Sequence, residues 1–179
     1  MNSRTRLIKF QIFSAIFAII LGTILHFTYT WSKNNSIVGL FSAINESTWE
    51  HLKLLFFPML ITTTIGYFIF KDTFPNFLCS KTIWIITAML FTVIFFYTYT
   101  GIIGTNYAFV NILTFILSVI IGEYVAYILT INSFTFNNIF CISILILLTV
   151  FFIIFTFNPP RINLFKDPID GSYGIQKNS

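Results

Sequence analysis

Five long apolar stretches constrain the fold of this chain more than any other feature of its sequence. The hydrocarbon core of a bilayer is about 30 Å thick, so a helix that rises 1.5 Å per residue needs about 20 apolar residues to cross it. Stretches of this length occur at residues 7–31, 48–70, 82–104, 107–131 and 139–157. Because backbone polar groups find no water inside lipid, each stretch is expected to be a helix.

The composition supports a membrane protein. The chain is 56% hydrophobic and 9% charged, whereas soluble domains carry about 25% charged residues. This excludes a soluble enzyme, a secreted disulfide module and a disordered chain. The only basic cluster is Arg4, Arg6 and Lys9, which offers no footprint for nucleic acid, so the lipid bilayer is the expected partner. The sequence therefore predicts an all-α integral membrane bundle of five transmembrane helices.

Two segments outside the spans have their own character. Residues 32–47 mix Ile37, Val38 and Phe41 with Asn and Ser, a composition that favours an interfacial or re-entrant segment after the first span. Residues 159–179 form a polar tail with turn signals at Asp167-Pro168 and Asp170-Gly171. We expect a single transmembrane domain at 1–158 and a tail at 159–179 that folds over the outer mouth.

The orientation of the chain in the membrane and the pairing of its cysteines are each indicated by a few residues. Five spans place the termini on opposite sides, and the basic residues ahead of the first span favour a cytoplasmic N-terminus. Cys79 and Cys141 lack the spacing of a metal or redox motif, so we expect no disulfide framework.

Polar residues gather where the second span begins. Residues 45–53 read Asn-Glu-Ser-Thr-Trp-Glu-His-Leu-Lys, and Ser47 with Glu50 fits a capping box. His26 lies about 10 Å from the centre of the first span, toward the same outer end. Because the tail and the turn after the third span share that end, we expect a polar pocket there. Its candidate residues are His26, Glu46, Glu50, His51, Lys53, Tyr99, Asn111, Asp167 and Tyr173.

This pocket has two interpretations. Two histidines and nearby carboxylates could hold a divalent metal, with His26, Glu50 and His51 as candidate ligands, or could act as acid and base. No His-Glu-x-x-His or comparable signature is present, so the cofactor stays unknown. The alternative is a capped helix end with a Glu50–Lys53 surface pair and a hydrogen-bonded His26.

Glu123 marks a second polar layer, about 6 Å on the other side of the bilayer centre. A carboxylate at this depth costs about 2.5–3.5 kcal/mol on insertion scales, so it should face the bundle interior. The hydroxyl groups expected around it belong to Ser14, Thr64, Thr87 and Ser143. Glu123 is then either a protonated bridge between helices or a proton- or cation-coupling site. In either case we expect Glu123→Gln to preserve the fold.

Small residues recur every four positions on two spans. One stripe is Ser14, Ala18 and Gly22, and the other is Ser118, Gly122 and Ala126. Such stripes let helix backbones approach closely. They favour packing within the bundle, and contact with another membrane protein or a second copy is the alternative.

The motif at residues 45–53 resembles that of an uncharacterised group of small bacterial multi-pass membrane proteins, a domain of unknown function. The matching residues are Asn45, Glu46, Ser47, Trp49, Glu50, His51, Leu52 and Lys53. The tail resembles theirs at Asp167, Pro168, Gly171, Tyr173, Gly174 and Ile175. The resemblance implies the bacterial cytoplasmic membrane and brings no activity or ligand.

Three functions fit these observations. The sequence favours a small-molecule or ion binding or transport-associated protein that uses the outer pocket. The second is a membrane-embedded metal-dependent hydrolase, and the third is a structural subunit that needs no pocket. Neither a nucleophile–base pair nor a metal signature is recognisable, so whether the chain is an enzyme stays open.

Overall fold

The structure is a computed structural model that describes residues 2–133 and 137–175. The prediction of an all-α fold with five helices long and apolar enough to cross a membrane is confirmed. The helices are α1 (Ser3–Trp31), α2 (Ser36–Gly39), α3 (Thr48–Phe70), α4 (Phe77–Ile103), α5 (Ala108–Ile131) and α6 (Asn138–Phe157). A short 3₁₀ helix (Asn163–Phe165) follows, and the described residues contain no β-strand.

Successive long helices run in opposite directions, so the ends of some helices and the starts of others lie together at each end of the bundle. We call the end where α1, α4 and α6 finish and α3 and α5 begin the site end. Helix α3 occupies the centre, contacting α1, α4 and α6. Its side chains Leu55, Phe56 and Met59 are fully buried, as are Trp84 of α4 and Val119 of α5.

Local chemistry sets the start of α3 as the sequence predicts. The Ser47 hydroxyl accepts a hydrogen bond from the Glu50 N–H at 3.4 Å, which satisfies one of the free N–H groups of the first turn. Helix α4 differs from the prediction because it begins at Phe77, five residues before the expected start at Thr82. Lys81, expected in a loop, therefore lies inside a membrane-spanning helix.

Both small-residue stripes pack inside the bundle. A Cβ at Gly22 would clash with the Leu54 carbonyl, and one at Gly122 would lie 2.8 Å from the Trp84 carbonyl oxygen. The first stripe therefore joins α1 to α3 and the second joins α5 to α4. Neither stripe is exposed for a second copy or another membrane protein.

The sequence predicted no disulfide framework, but the structure contains one disulfide that the sequence did not indicate. Cys79 and Cys141 are bonded, with their Cα atoms 5.4 Å apart, and link the first turns of α4 and α6. Their separation of 62 residues carries no motif that could have predicted the pair. The bond lies at the end that Arg4, Arg6 and Lys9 assign to the cytoplasm, where disulfides are rare. The two observations thus favour opposite orientations of the bundle.

The tail up to Ile175 lies against the site end. Phe165 of the 3₁₀ helix packs on Trp49, with ring centroids 4.8 Å apart, and is buried. The Ile175 N–H donates to the Thr156 carbonyl at 3.1 Å. These contacts bring the described part of the tail next to the start of α3; residues 176–179 lie outside the described residues.

Candidate functional site

Three side chains of metal-ligand type meet at the site end. The Glu46 carboxylate lies 3.9 Å from His26 Nε2 through one oxygen and 3.4 Å from His51 Nε2 through the other. One ligand atom from each residue lies within 4.8 Å of the others. The three side chains are 29%, 33% and 44% exposed for His26, His51 and Glu46 respectively. The cluster is therefore accessible from outside the protein.

The hydrogen bond of His51 decides what its other ring nitrogen can do. Nδ1 lies 2.9 Å from the Ser47 carbonyl oxygen, which can only accept, so Nδ1 carries a proton. Neutral His51 then directs the lone pair of Nε2 toward the Glu46 carboxylate. Either a proton on Nε2, which makes an ion pair with Glu46, or a metal ion between the two groups would stabilise this contact.

The chain before α3 positions Glu46. The Glu46 N–H donates to Asp167 Oδ2 at 3.0 Å, and the next N–H, that of Ser47, donates to Asn45 Oδ1 at 3.0 Å. Glu46 therefore precedes the helix and reaches across to α1. The adjacent His51 ring is the main cause that lowers the pKa of Glu46 below its ordinary value, so its carboxylate is ionised at neutral pH.

A cavity of about 460 Å³ extends from the cluster into the bundle, a volume typical of small-molecule sites. Its lining comes from α1, α3, α4, α5 and the tail. Deep in the cavity, the Thr92 and Thr114 hydroxyls donate to carbonyls of their own helices at 2.9 and 2.7 Å. The remaining lining residues include Gly22, Phe27, Leu54, Leu55, Phe96, Ile112, Phe115 and Ile169. Most of the surface below the cluster is therefore apolar.

Glu50 and Lys53 do not join this cluster, which corrects the predicted ligand set His26, Glu50 and His51. Lys53 Nζ donates to Glu50 Oε2 at 2.6 Å, to Thr156 Oγ1 at 2.6 Å and to the Gly39 carbonyl at 2.8 Å. Both charged side chains are buried. They form an internal ion pair that ties α3 to α6 and to the segment after α1, whereas the sequence suggested a surface pair or a pocket wall.

The other predicted pocket residues have different positions. Asn111 lines the cavity, and the Tyr99 hydroxyl donates to its amide oxygen. Asp167 accepts the hydrogen bond from the Glu46 N–H. Tyr173 packs on the main apolar core and does not line the cavity.

Glu123 faces the bundle interior, but its partner is Lys81. The Lys81 ammonium donates to Glu123 Oε1, and lies 4.0 Å from the centre of the Trp84 ring. Both residues are buried. The pair was not predicted because the third span was expected to begin at Thr82, after Lys81. Had the helix been expected to begin one turn earlier, Lys81 would have been a buried basic residue available to pair with Glu123.

The hydroxyl layer expected around Glu123 does not form. Thr64 and Ser143 are exposed on the outside of the bundle, and their hydroxyls donate to the Leu60 and Ile139 carbonyls. Ser14 is buried without a hydrogen-bond partner for its hydroxyl, and Thr87 is half-buried.

Comparison with known proteins adds a family. The model of the family of unknown function DUF6512 matches residues 1–175. The chain belongs to that family. The match spans all the helices of the bundle, so the cavity and the three-residue cluster lie within the DUF6512 region. No curated protein and no solved structure matches the chain.

Proposed function

We propose that this integral membrane protein binds a divalent transition-metal ion, zinc, through His26, Glu46 and His51 at the mouth of the cavity. The observation that carries the proposal is the His51 ring. Its Nδ1 is engaged by a backbone carbonyl, the usual outer-shell partner of a metal-ligating histidine, while its Nε2 faces the Glu46 carboxylate at 3.4 Å. Following the family resemblance, we place the protein in a bacterial cytoplasmic membrane.

The spacing of the three groups is close to that of a zinc site. Ligand atoms about 2.0–2.1 Å from a tetrahedral zinc ion lie about 3.3 Å from one another. The distances of 3.4 and 3.9 Å run to different Glu46 oxygens, and one ligand atom from each residue lies within 4.8 Å of the others. Side-chain rotations that shorten these separations by up to about 1.5 Å would complete the site. Three protein ligands leave a fourth position free, which is the pattern of zinc sites that bind a further molecule. All three residues line the cavity, so a molecule in the cavity could reach that position.

Zinc binding to the purified full-length chain in detergent tests the proposal. We expect one zinc ion per chain by elemental analysis after dialysis against zinc and then buffer. Glu46→Gln and His51→Gln should each weaken zinc binding more than tenfold, because loss of an outer-shell partner alone has effects of about 10–100-fold. Competition with a chromogenic chelator measures these affinities.

Asp72→Asn is the matched control for Glu46→Gln. Asp72 is exposed in the turn at the opposite end of the bundle, so the same loss of charge should leave zinc affinity unchanged. Wild-type protein without stoichiometric zinc, or a Glu46→Gln variant that binds zinc as tightly as wild type, would refute the proposal.

A metal-dependent hydrolase is the second candidate. Two histidines and a glutamate form the ligand set of some catalytic zinc sites, which favours this reaction class. Hydrolysis also needs a base to take a proton from the attacking water. Among the described residues that line the cavity, Glu46 is the only carboxylate, and the proposed site uses it as a ligand. Binding is therefore the better supported function.

A further inference from the structure

The cavity below the cluster has the shape and chemistry of a site for an amphiphile. On α5 its lining runs from Ala108 to Phe115, a rise of about 10 Å along the helix. The deep hydroxyls of Thr92 and Thr114 are already bonded within their own helices. The lower part of the cavity thus offers mainly apolar contacts.

The polar groups that remain for a ligand lie at the mouth. The Asn111 amide nitrogen donates to Asn106 Oδ1 at 3.2 Å and its oxygen accepts from Tyr99, so this side of the mouth is largely satisfied. The cluster is different, because a bound divalent ion would outweigh the single negative charge of Glu46 and keep a free coordination position. The head of a ligand at that position should be anionic and should carry oxygen donors.

The cavity is bordered by helices that are apolar enough to span a membrane. Phe27 of α1 and Ile112 of α5 line it and keep 46% and 60% of their surface accessible. Because both helices are long and apolar enough to cross a bilayer, this side of the cavity lies at membrane depth. This favours a ligand that is dissolved in the bilayer.

From these three features we infer that the cavity binds a single-chain anionic amphiphile. Its alkyl chain lies among Leu55, Phe96 and Phe115, and its phosphate or carboxylate head coordinates the metal ion at the cluster. The inference rests on the proposed zinc site and names the class of molecule that this site receives. It also predicts coupling: a head that coordinates zinc must raise the affinity for zinc, and zinc must raise the affinity for the amphiphile by the same factor.

Zinc affinity measured with and without decyl phosphate tests this coupling. For the full-length chain in maltoside micelles, we expect decyl phosphate to raise zinc affinity about tenfold. Decanol, which has the chain without the charge, should have no effect, and inorganic phosphate, which has the charge without the chain, should have little. Protein-free micelles correct for zinc held by decyl phosphate itself, which acts in the opposite direction.

Two cavity-filling variants locate the effect. Thr92→Phe places a ring deep in the cavity, and should bind zinc normally while losing the response to decyl phosphate. Thr98→Phe is the matched control, since Thr98 lies on the exposed side of the same helix and its variant should keep the response. If Thr92→Phe does not fold, Ala108→Trp fills the mouth from an exposed position.

The outcomes separate this inference from the proposed function. Zinc binding that decyl phosphate strengthens in wild type and not in the filled variants supports both. Zinc binding that decyl phosphate does not strengthen, or that inorganic phosphate strengthens equally, overturns the amphiphile and leaves the zinc site standing. Absence of zinc binding overturns the zinc site and the amphiphile together.

Discussion

The Lys81–Glu123 pair is closed within the bundle, whereas the His26–Glu46–His51 cluster is open to the cavity and the surface. The Lys81 and Glu123 side chains are 0% and 9% exposed, while the Glu46 side chain is 44% exposed. In the closed pair, each charge depends on the other because no water can replace a lost partner. In the open cluster, solvent can replace a lost partner. The comparison teaches that each charge of the first centre needs its partner, whereas the second centre is available for a ligand.

The largest effect should follow from breaking the closed pair. Glu123→Gln leaves Lys81 charged and buried without a counter-charge, so we expect a loss of about 3–5 kcal/mol in the free energy of unfolding. This replaces the expectation from sequence that the glutamine would preserve the fold. Unfolding in mixed micelles with increasing dodecyl sulfate measures the change.

The double variant Lys81→Met/Glu123→Leu is the control. It removes both charges at similar volume, so it should recover most of the lost stability. If Glu123→Gln is as stable as wild type, Lys81 does not depend on its counter-charge and the comparison fails.

A smaller loss is expected at the second internal pair. Glu50→Gln removes the charge opposite Lys53, but the ammonium keeps the Thr156 hydroxyl and the Gly39 carbonyl as partners. We expect a loss of about 1–3 kcal/mol by the same measurement. A loss as large as that of Glu123→Gln would show that hydrogen bonds from neutral groups do not compensate a lost counter-charge in this bundle.

Asp167 links the tail to the open cluster and should affect both properties modestly. The two Asp167 oxygens accept from the Glu46 and Ile169 N–H groups, and an asparagine can replace only one of these acceptors. Asp167→Asn should reduce the free energy of unfolding by about 0.5–1.5 kcal/mol, and weaken zinc binding about tenfold by displacing Glu46.

Asp170→Asn serves as the comparison for that variant. Asp170 accepts from the Ser172 N–H through one oxygen, which an amide oxygen can replace, so both properties should stay as in wild type. Equal zinc affinities in the two variants would mean that Asp167 does not position Glu46.

The smallest effect on stability is expected at the open cluster itself. With zinc removed by a chelator, Glu46→Gln should change the free energy of unfolding by less than about 0.5 kcal/mol. Added zinc should stabilise wild type, because a ligand that binds only the folded state shifts the equilibrium, and it should leave the variant unchanged. If metal-free Glu46→Gln loses much of its free energy of unfolding, the open cluster stabilises the fold as the two internal ion pairs do.

Much of the arrangement along the membrane normal could be predicted. The five spans, the start of α3 at Thr48 and the shared end of His26, Glu46 and His51 follow from hydrophobic length and from the alternating direction of successive helices. The cap at Ser47 follows from its short-range chemistry. The positions of the spans and the shared end concern only how deep each residue lies in the membrane, and the thickness of the bilayer fixes that depth.

Rotation about the helix axes was decided only by the tertiary structure. Glu46 and Glu50 lie at the same end, yet one meets the histidines and the other pairs internally with Lys53. Cys79 finds Cys141 on a helix 62 residues away, and Glu123 finds Lys81 rather than a hydroxyl group. The physical reason is that spanning helices are apolar on every side, so their sequence carries little information on which face turns inward. Packing against neighbouring helices supplies that information, and with it the partner of each charged side chain.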